Sequence, residues 1–525
     1  MPRNTLIFRA LLMSGQLLVG MSATSTLFAA EQDLRLPNAA MNRDFATVRA
    51  LLAEGVDPDT KGDFDTPALH WLVRINDLDT VKLLLDAGAN PNGTTGLGIT
   101  PLSLAISNGS TDMVQLLLEN GADPNAAEPN EQTLLMSAAI VGEPGVVRAL
   151  VYKGAEVNAV ESNFGETPLM LAAREGHSDV VAILLEAGAE PNTATFIGET
   201  PAWIAPNSQR GFGFGIGIIR GGTPKDRGRR EPTPGGMTPL HFAARHNHVD
   251  VARQLLAAGA ELNAREANDI WPLLMAISND QMEMAHFLLE QPDVLINGQD
   301  WYGRSPIWEA VNVRNLYIHN STFVNDVKRE PLLNFIKALL AAGADPNVRT
   351  KETPPVRHHL LPTTGTLEWV DFTGQTPFLA AAYAGDVTVM KLLLDYDADP
   401  HIYTFEGTSP LMAAAGVNWV LAQTYTESPE RLLEAVQMCV SLGMDVNQAN
   451  SMGVTALMGA ANRGSDDIIR YLVDQGADLT MQDNESRTAL DWAKGVFLAT
   501  HPPEPKPDSI ALISQLLTQQ GKEVR

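Results

Sequence analysis

One phrase of roughly thirty-three residues recurs along most of this chain, and a fixed period of that length settles an architecture before any single residue is considered. In its clearest copies Thr-Pro-Leu opens an Ala-rich segment, a Leu-rich segment follows, and Gly-Ala-Asp-Pro-Asn closes the unit. The opening Leu, or an apolar substitute, falls at Leu69, Leu102, Leu135, Leu169, Leu240, Leu273, Ile307, Phe378, Leu411, Leu457 and Leu490. Successive separations are 33, 33, 34, 71, 33, 34, 71, 33, 46 and 33 residues. Such units cannot bury an apolar face alone, so neighbours must stack into one continuous core.

Gly165–Asn192 shows the physics of one unit. Thr167-Pro168 starts a helix: Pro suits the first turn and the hydroxyl caps free N–H groups. Leu169, Leu171, Ala172 and Ala173 give it an apolar stripe with small residues for close approach. Gly176-His177 ends it, and Asp179 opens a second helix carrying Val180, Val181, Ile183, Leu184 and Leu185. Gly188 permits a left-handed exit, and Ala189–Asn192 leads into a hairpin. Leu34–Gly55 reads as a first unit. Thr488–Lys494 begins the last, with a closing helix over Asp508–Gln520. The expected fold is an all-α solenoid of about twelve helix-turn-helix repeats joined by β-hairpin loops.

Composition narrows the function classes. The 525 residues carry a net charge of −25, which repels nucleic-acid phosphates. Arg3 and Arg9 precede a short apolar segment, Ala10–Met21, and small residues end in Ala29-Ala30. This reads as a secretory signal peptide over 1–30, whose removal takes the charge to −27. No later stretch is long enough to span a bilayer. One cysteine, Cys439, excludes an internal disulfide; its neighbours Ala435, Val436, Val440 and Leu442 place it on the inner face of a second helix.

Breaks in the period fall in particular places. After Leu169, Gly198-Glu199-Thr200-Pro201-Ala202-Trp203 reads as the start of a further unit, whose second helix is replaced by Pro206–Gly236. That segment holds Phe212 and Phe214 between alternating glycines, then Arg227, Arg229 and Arg230; Asn207–Glu231 has six basic and two acidic residues. It is either a basic recognition loop or an insertion without a role of its own. Leu316–Glu330 and Trp419–Ser428 fall between the two helices of their units, whereas Val348–Phe372 extends a hairpin. The expected order is a signal peptide (1–30), repeats (31–206), a Gly/Arg-rich insertion (207–236), repeats (237–347), a hairpin insertion (348–372), and repeats with a capping helix (373–525).

Catalytic motifs are missing: there is no Gly-x-Ser-x-Gly, His-Glu-x-x-His or Walker loop. His246 and His248 are two apart and share no helical face, so they make no metal pair. His70 and His241 occupy equivalent positions in their units, and a structural bond to hairpin backbone is expected of both. Asp57–Gly62 resembles a calcium loop, but the acid required six residues beyond Gly62 is Ala68. The reading is not an enzyme, with no cofactor.

Thr238-Pro239-Leu240-His241-Phe242-Ala243 together with the period resembles the ankyrin repeat over the whole mature chain. More narrowly, the chain resembles exported bacterial ankyrin-repeat proteins of unassigned role, through Gly235-Gly236-Met237-Thr238-Pro239-Leu240, Gly374–Leu379 and Leu411–Val417. The resemblance implies protein binding through the concave face, hairpin tips and first-helix ends. Matching positions are Phe164, Arg174 and Glu175; Arg245 and His246; Trp301, Tyr302 and Arg304; Phe372 and Tyr383; and Phe405. The inserted Phe212, Phe214, Arg229, Arg230, Trp369 and Trp419 join them as candidate protein-contact residues. The expected function is a periplasmic or secreted, monomeric protein-binding scaffold. Its alternatives are an accessory or protective subunit of a periplasmic oxidoreductase or cytochrome, and a secreted effector that binds host proteins.

Overall fold

The structure is a computed structural model describing residues 33–126, 128, 132–198, 235–316, 325–352, 370, 373–419, 426–496 and 504–523. The segment 1–30, Phe212, Phe214, Arg229, Arg230, Trp369 and Phe372 lie outside the described residues. The chain divides into two compact units, one ending at Leu104 and the other beginning at Ala105.

In the first unit, α1 (Arg35–Met41) and α2 (Phe45–Ala53) pair, as do α3 (Ala68–Arg74) and α4 (Leu78–Asp86). Helix α1 packs on α3 and α2 on α4, burying Leu36, Val48, Leu69, Leu72, Val81 and Leu84. Asp44 and Asp77 cap the second helices through Thr47 N and Thr80 N. The division falls within α5 (Pro101–Ser107).

The second unit continues with α6 (Thr111–Glu119), α7 (Leu134–Val141), α8 (Pro144–Tyr152), α9 (Pro168–Glu175), α10 (Ser178–Glu186), α11 (Pro239–His246) and α12 (Val249–Ala257). Then come α13 (Pro272–Ser278), α14 (Met282–Leu289), α15 (Pro306–Leu316), α16 (Asn325–Ala341), α17 (Pro377–Ala384) and α18 (Val387–Leu394). The last six are α19 (Pro410–Ala415), α20 (Pro429–Ser441), α21 (Ala456–Arg463), α22 (Asp466–Asp474), α23 (Ala489–Lys494) and α24 (Pro507–Gln519). The odd-numbered first helices from α7 to α23 stack in succession, and each packs on the second helix that follows it. The described residues hold twenty-four α-helices, two for each of about twelve expected repeats.

Two polar devices hold neighbouring units in register. The first is an asparagine ladder: Asn158 Nδ2 donates to Gly188 O at 2.9 Å, and Asn158 Oδ1 accepts from Glu190 N at 3.0 Å. Asn125, Asn263, Asn297, Asn347 and Asn447 repeat the pattern. The second joins hairpin tips through backbone: Phe196 N donates to Phe164 O at 2.8 Å, and Phe405 N to Thr373 O at 2.9 Å.

The reading of Gly198–Trp203 as the start of a unit falls, from Glu199 onward, outside the described residues. Helix α11 packs directly on α9, and Asn192 bonds Gly259 O at 2.9 Å and Glu261 N at 2.8 Å, as if no residues intervened. The extra chain leaves and rejoins at one hairpin, closed by Thr195 N to Met237 O and Gly236 N to Thr195 O, both 3.0 Å. The second hairpin insertion closes likewise: Thr350 N donates to Gln375 O and Gly374 N to Thr350 O, both at 3.0 Å. The Leu316–Glu330 insertion is shorter than its sequence suggested, because α16 already begins at Asn325.

Candidate protein-binding surface

Hairpin tips carry several of the exposed large apolar side chains of the second unit. Phe164 is 64% exposed, Phe196 52% and Ile197 67%. Neighbouring tips bring these residues together, since Phe196 N bonds Phe164 O. The turn that presents Phe164 is held from below by the buried Glu161 carboxylate, which accepts from Asn163 N at 2.8 Å and also from Phe164 N. Several backbone N–H groups on one carboxylate favour its charged form, and they hold Glu161 below the usual range against its burial. Gly165, at φ +75, lets the Phe196 ring lie against its backbone. The ring thus rests on one flank while its other faces remain in solvent.

Below these tips, charged groups line the ends of α9 and α11. Arg174 Nη1 lies 2.9 Å from Glu166 Oε1, and its Nε 3.1 Å from Glu175 Oε1. His248 Nε2 donates to Arg174 O at 3.0 Å, and the His246 ring stacks on His248 with centroids 6.1 Å apart. Partial burial, with the nearby Arg245 and His248, lowers the His246 pKa. Arg245 and His246 are exposed. The surface therefore combines three apolar anchors, a braced Glu-Arg-Glu set and an adjoining cationic edge.

Other sequence-predicted positions divide differently. Phe405 is 58% exposed at its tip, with the Arg349 guanidinium 4.2 Å from its ring centroid. Tyr383 is half-buried and donates to Asn418 O at 2.9 Å. Trp419 is half-buried between Arg463 and Lys506. Trp301 is half-buried, edge-on to Tyr302 at 5.2 Å. Two expectations are corrected: Tyr302 and Arg304 are each only 7% exposed and offer no contact surface. Arg304 Nε meets Asp300 Oδ2 at 2.7 Å and Nη1 meets Glu309 Oε1 at 3.3 Å, so the guanidinium is spent inside the scaffold. The sequence reading also left Phe196 and Ile197 out of the contact set, although counting the hairpin from Asn192 puts them at its tip.

The two equivalent histidine positions do structural work. His70 Nε2 donates to Ile99 O at 3.0 Å, and His241 Nε2 to Ile270 O at 3.1 Å. Cys439 is fully buried in α20, and burial pushes its thiol up. Among the described residues, no His, Cys, Asp or Glu set is arranged to hold a metal ion. No described helix is long and apolar enough to cross a membrane.

A stack of paired helices, laddered asparagines and presented hairpin tips defines a repeat scaffold. The family model for ankyrin repeats in tandem matches residues 36–128, 125–195 and 427–495, and the single ankyrin-repeat model matches 235–267 and 373–405. Together they cover more than half of the chain, which belongs to the ankyrin-repeat family. NF-kappa-B inhibitor alpha of Sus scrofa is 35% identical over 108 residues, 20% of this chain and 34% of that protein. Ankyrin repeat and SAM domain-containing protein 6 of Rattus norvegicus is 30% identical over 141 residues, 26% of this chain and 14% of the relative. Ankyrin repeat and KH domain-containing protein mask-1 of Caenorhabditis elegans is 29% identical over 255 residues, 44% and 10% respectively. The chain thus spans about a third or less of these relatives' own length. Among solved structures, the human ASB11 ankyrin repeat domain aligns with a TM-score of 0.38 and 26% identity, over 49% of this chain and 99% of that one.

Proposed function

We propose that this ankyrin-repeat chain is a non-catalytic scaffold that binds another protein through the surface around Phe164, Phe196 and Ile197. The observation that carries the reading is the exposure of three large apolar side chains on braced, neighbouring tips beside the cationic Arg245 edge. Exposed apolar clusters with a polar rim mark interaction sites, and aromatic anchors dominate their energetics. The partner is a protein and not a nucleic acid, a reading that the charge of −25 supports. The scaffold is monomeric and is exported to the periplasm or beyond, which Arg3, Arg9 and the apolar Ala10–Met21 support.

Affinity capture from a cell-envelope fraction of the native source tests the reading, comparing the natural chain with a Phe164→Ala/Phe196→Ala variant and with Arg245→Glu. The natural chain is expected to recover a defined protein, and the double variant to lose about tenfold or more of it while keeping its melting temperature. Equal recovery by all three would overturn the assignment of this surface. Fractionation that finds the chain entirely in the cytoplasm would overturn the export.

A further inference from the structure

Arg463, at the end of α21, reaches back to the preceding first helix, where Nη1 donates to Ala414 O at 2.9 Å. That bond caps the short α19 and accounts for one of the guanidinium nitrogens. Nε and Nη2 are enclosed by the protein and bond to nothing. The two share one edge of the planar guanidinium, so the unused donors form a parallel fork of the geometry that grips an oxyanion with two bonds.

Comparison with other guanidinium groups sharpens the point. Arg304 turns its Nε to Asp300, Arg314 to Asp386 and Arg487 to Asp483, each within 2.8 Å. Arg349 gives Nε and Nη2 to the carbonyls of Gly374 and Tyr403. Arg463 departs from this pattern in a chain with 62 acidic residues and 37 basic ones. Enclosing an ion without a counter-charge is expensive. The price shows in Arg463 itself, whose pKa burial lowers to about 10.

The surroundings add to the fork. The Trp419 ring lies 5.9 Å from the guanidinium carbon, and the Lys506 ammonium is 5.8 Å from the same ring. Lys506 also pairs with the exposed Glu504 at 2.7 Å. A side chain at Gly416 would come within 2.7 Å of Gly459 O and 3.2 Å of Arg463 Nε, so only a glycine lets the backbone approach this edge so closely.

The geometry points to an oxyanion site at Arg463, in which Nε and Nη2 hold a carboxylate or phosphate group while Lys506 contributes positive field. Occupation breaks none of the bonds described, since Nη1 keeps Ala414 O. The donors are closed to bulk water, so a bond made there is strong, and the Trp419 ring is among the groups that must yield on entry. This site lies on α19, α21 and the approach to α24, away from Phe164 and Phe196, and does not depend on the protein-binding reading.

Calorimetric titration of the full chain with inorganic phosphate and, separately, with acetate tests the site in chloride buffer. Saturable binding of at least one anion is expected, with Arg463→Met abolishing it and Arg463→Lys weakening it about tenfold, because a lysine keeps the charge but not the fork. Response to phosphate alone assigns a phosphate-bearing ligand, and to acetate alone a carboxylate. Should Arg463→Met fail to fold, the natural chain still decides: the Nε resonance of Arg463 must shift during titration. A resonance that stays put with both anions, or equal heats from the natural chain and a folded Arg463→Met variant, overturns the site.

Discussion

Arg329 of α16 and Glu427, just ahead of α20, meet with Nη2 and Oε1 2.6 Å apart beside the buried Asp386 carboxylate. Asp386 caps α18 through Val389 N at 3.2 Å, and also takes Arg314 Nε at 2.8 Å and Arg329 Nη2 at 2.9 Å. Asp386 therefore joins α15, α16 and α18, and Arg329 carries the set on to Glu427 in the segment leading into α20. Asp386→Ala takes the acid from the buried Arg314 and leaves Arg329 with Glu427 alone, and a buried pair broken on one side costs about 3–5 kcal/mol. Urea unfolding should show that loss. A change below about 1 kcal/mol would mean that the cluster contributes little.

Asn192 is the rung that spans the longer of the ladder's sequence gaps. Its amide satisfies Gly259 O and Glu261 N, so Asn192→Ala leaves two backbone groups short of partners and is expected to cost about 1–3 kcal/mol. Asn158→Ala should cost a similar amount, because its two bonds are the same. If Asn192→Ala is neutral while Asn158→Ala is not, the direct stacking of α11 on α9 is wrong.

Burial pulls the His241 imidazole down to about 4 from its ordinary value of 6.5. Between those values the unfolded chain takes up a proton that the folded chain refuses. The His241 contribution is therefore fully present above about 6.5 and fades as pH falls toward about 4, by on the order of 3 kcal/mol. Denaturant titrations at several pH values should show the natural chain weakening across that window, and His241→Gln weakening less. Parallel slopes for the two proteins would rule His241 out as the source.

Cys439 is enclosed in α20 and its thiol is held protonated by burial. A thiol-specific disulfide reagent is expected to leave the native chain unlabelled and to react with one equivalent on unfolding. Rapid labelling under native conditions would show that α20 opens without global unfolding.

The regular units were legible because their signals are local and repeated. Thr238-Pro239 starts a helix by its own chemistry, and His241 follows at the offset where its ring meets the next hairpin. Arg304 was taken for a surface group by position within its unit. Its true partners stand four residues before it and five after, at Asp300 and Glu309, and acids so placed are a cue to an internal ion pair. Phe164 and Phe405 were found because the tip register is a matter of counting. The orphaned edge of Arg463 could not be read from sequence, as it depends on which groups three separate helices bring near one guanidinium.

The closed neck between Thr195 and Met237 has a bearing on how such a chain changes over generations. Register is settled before the extra segment departs and resumes unchanged after it returns. Residues between can be lengthened, shortened or exchanged while every rung of the ladder stays where it was. The scaffold therefore separates what must be inherited intact from what is free to be rewritten. The second neck, at Thr350 and Gln375, gives the same chain a second place to experiment.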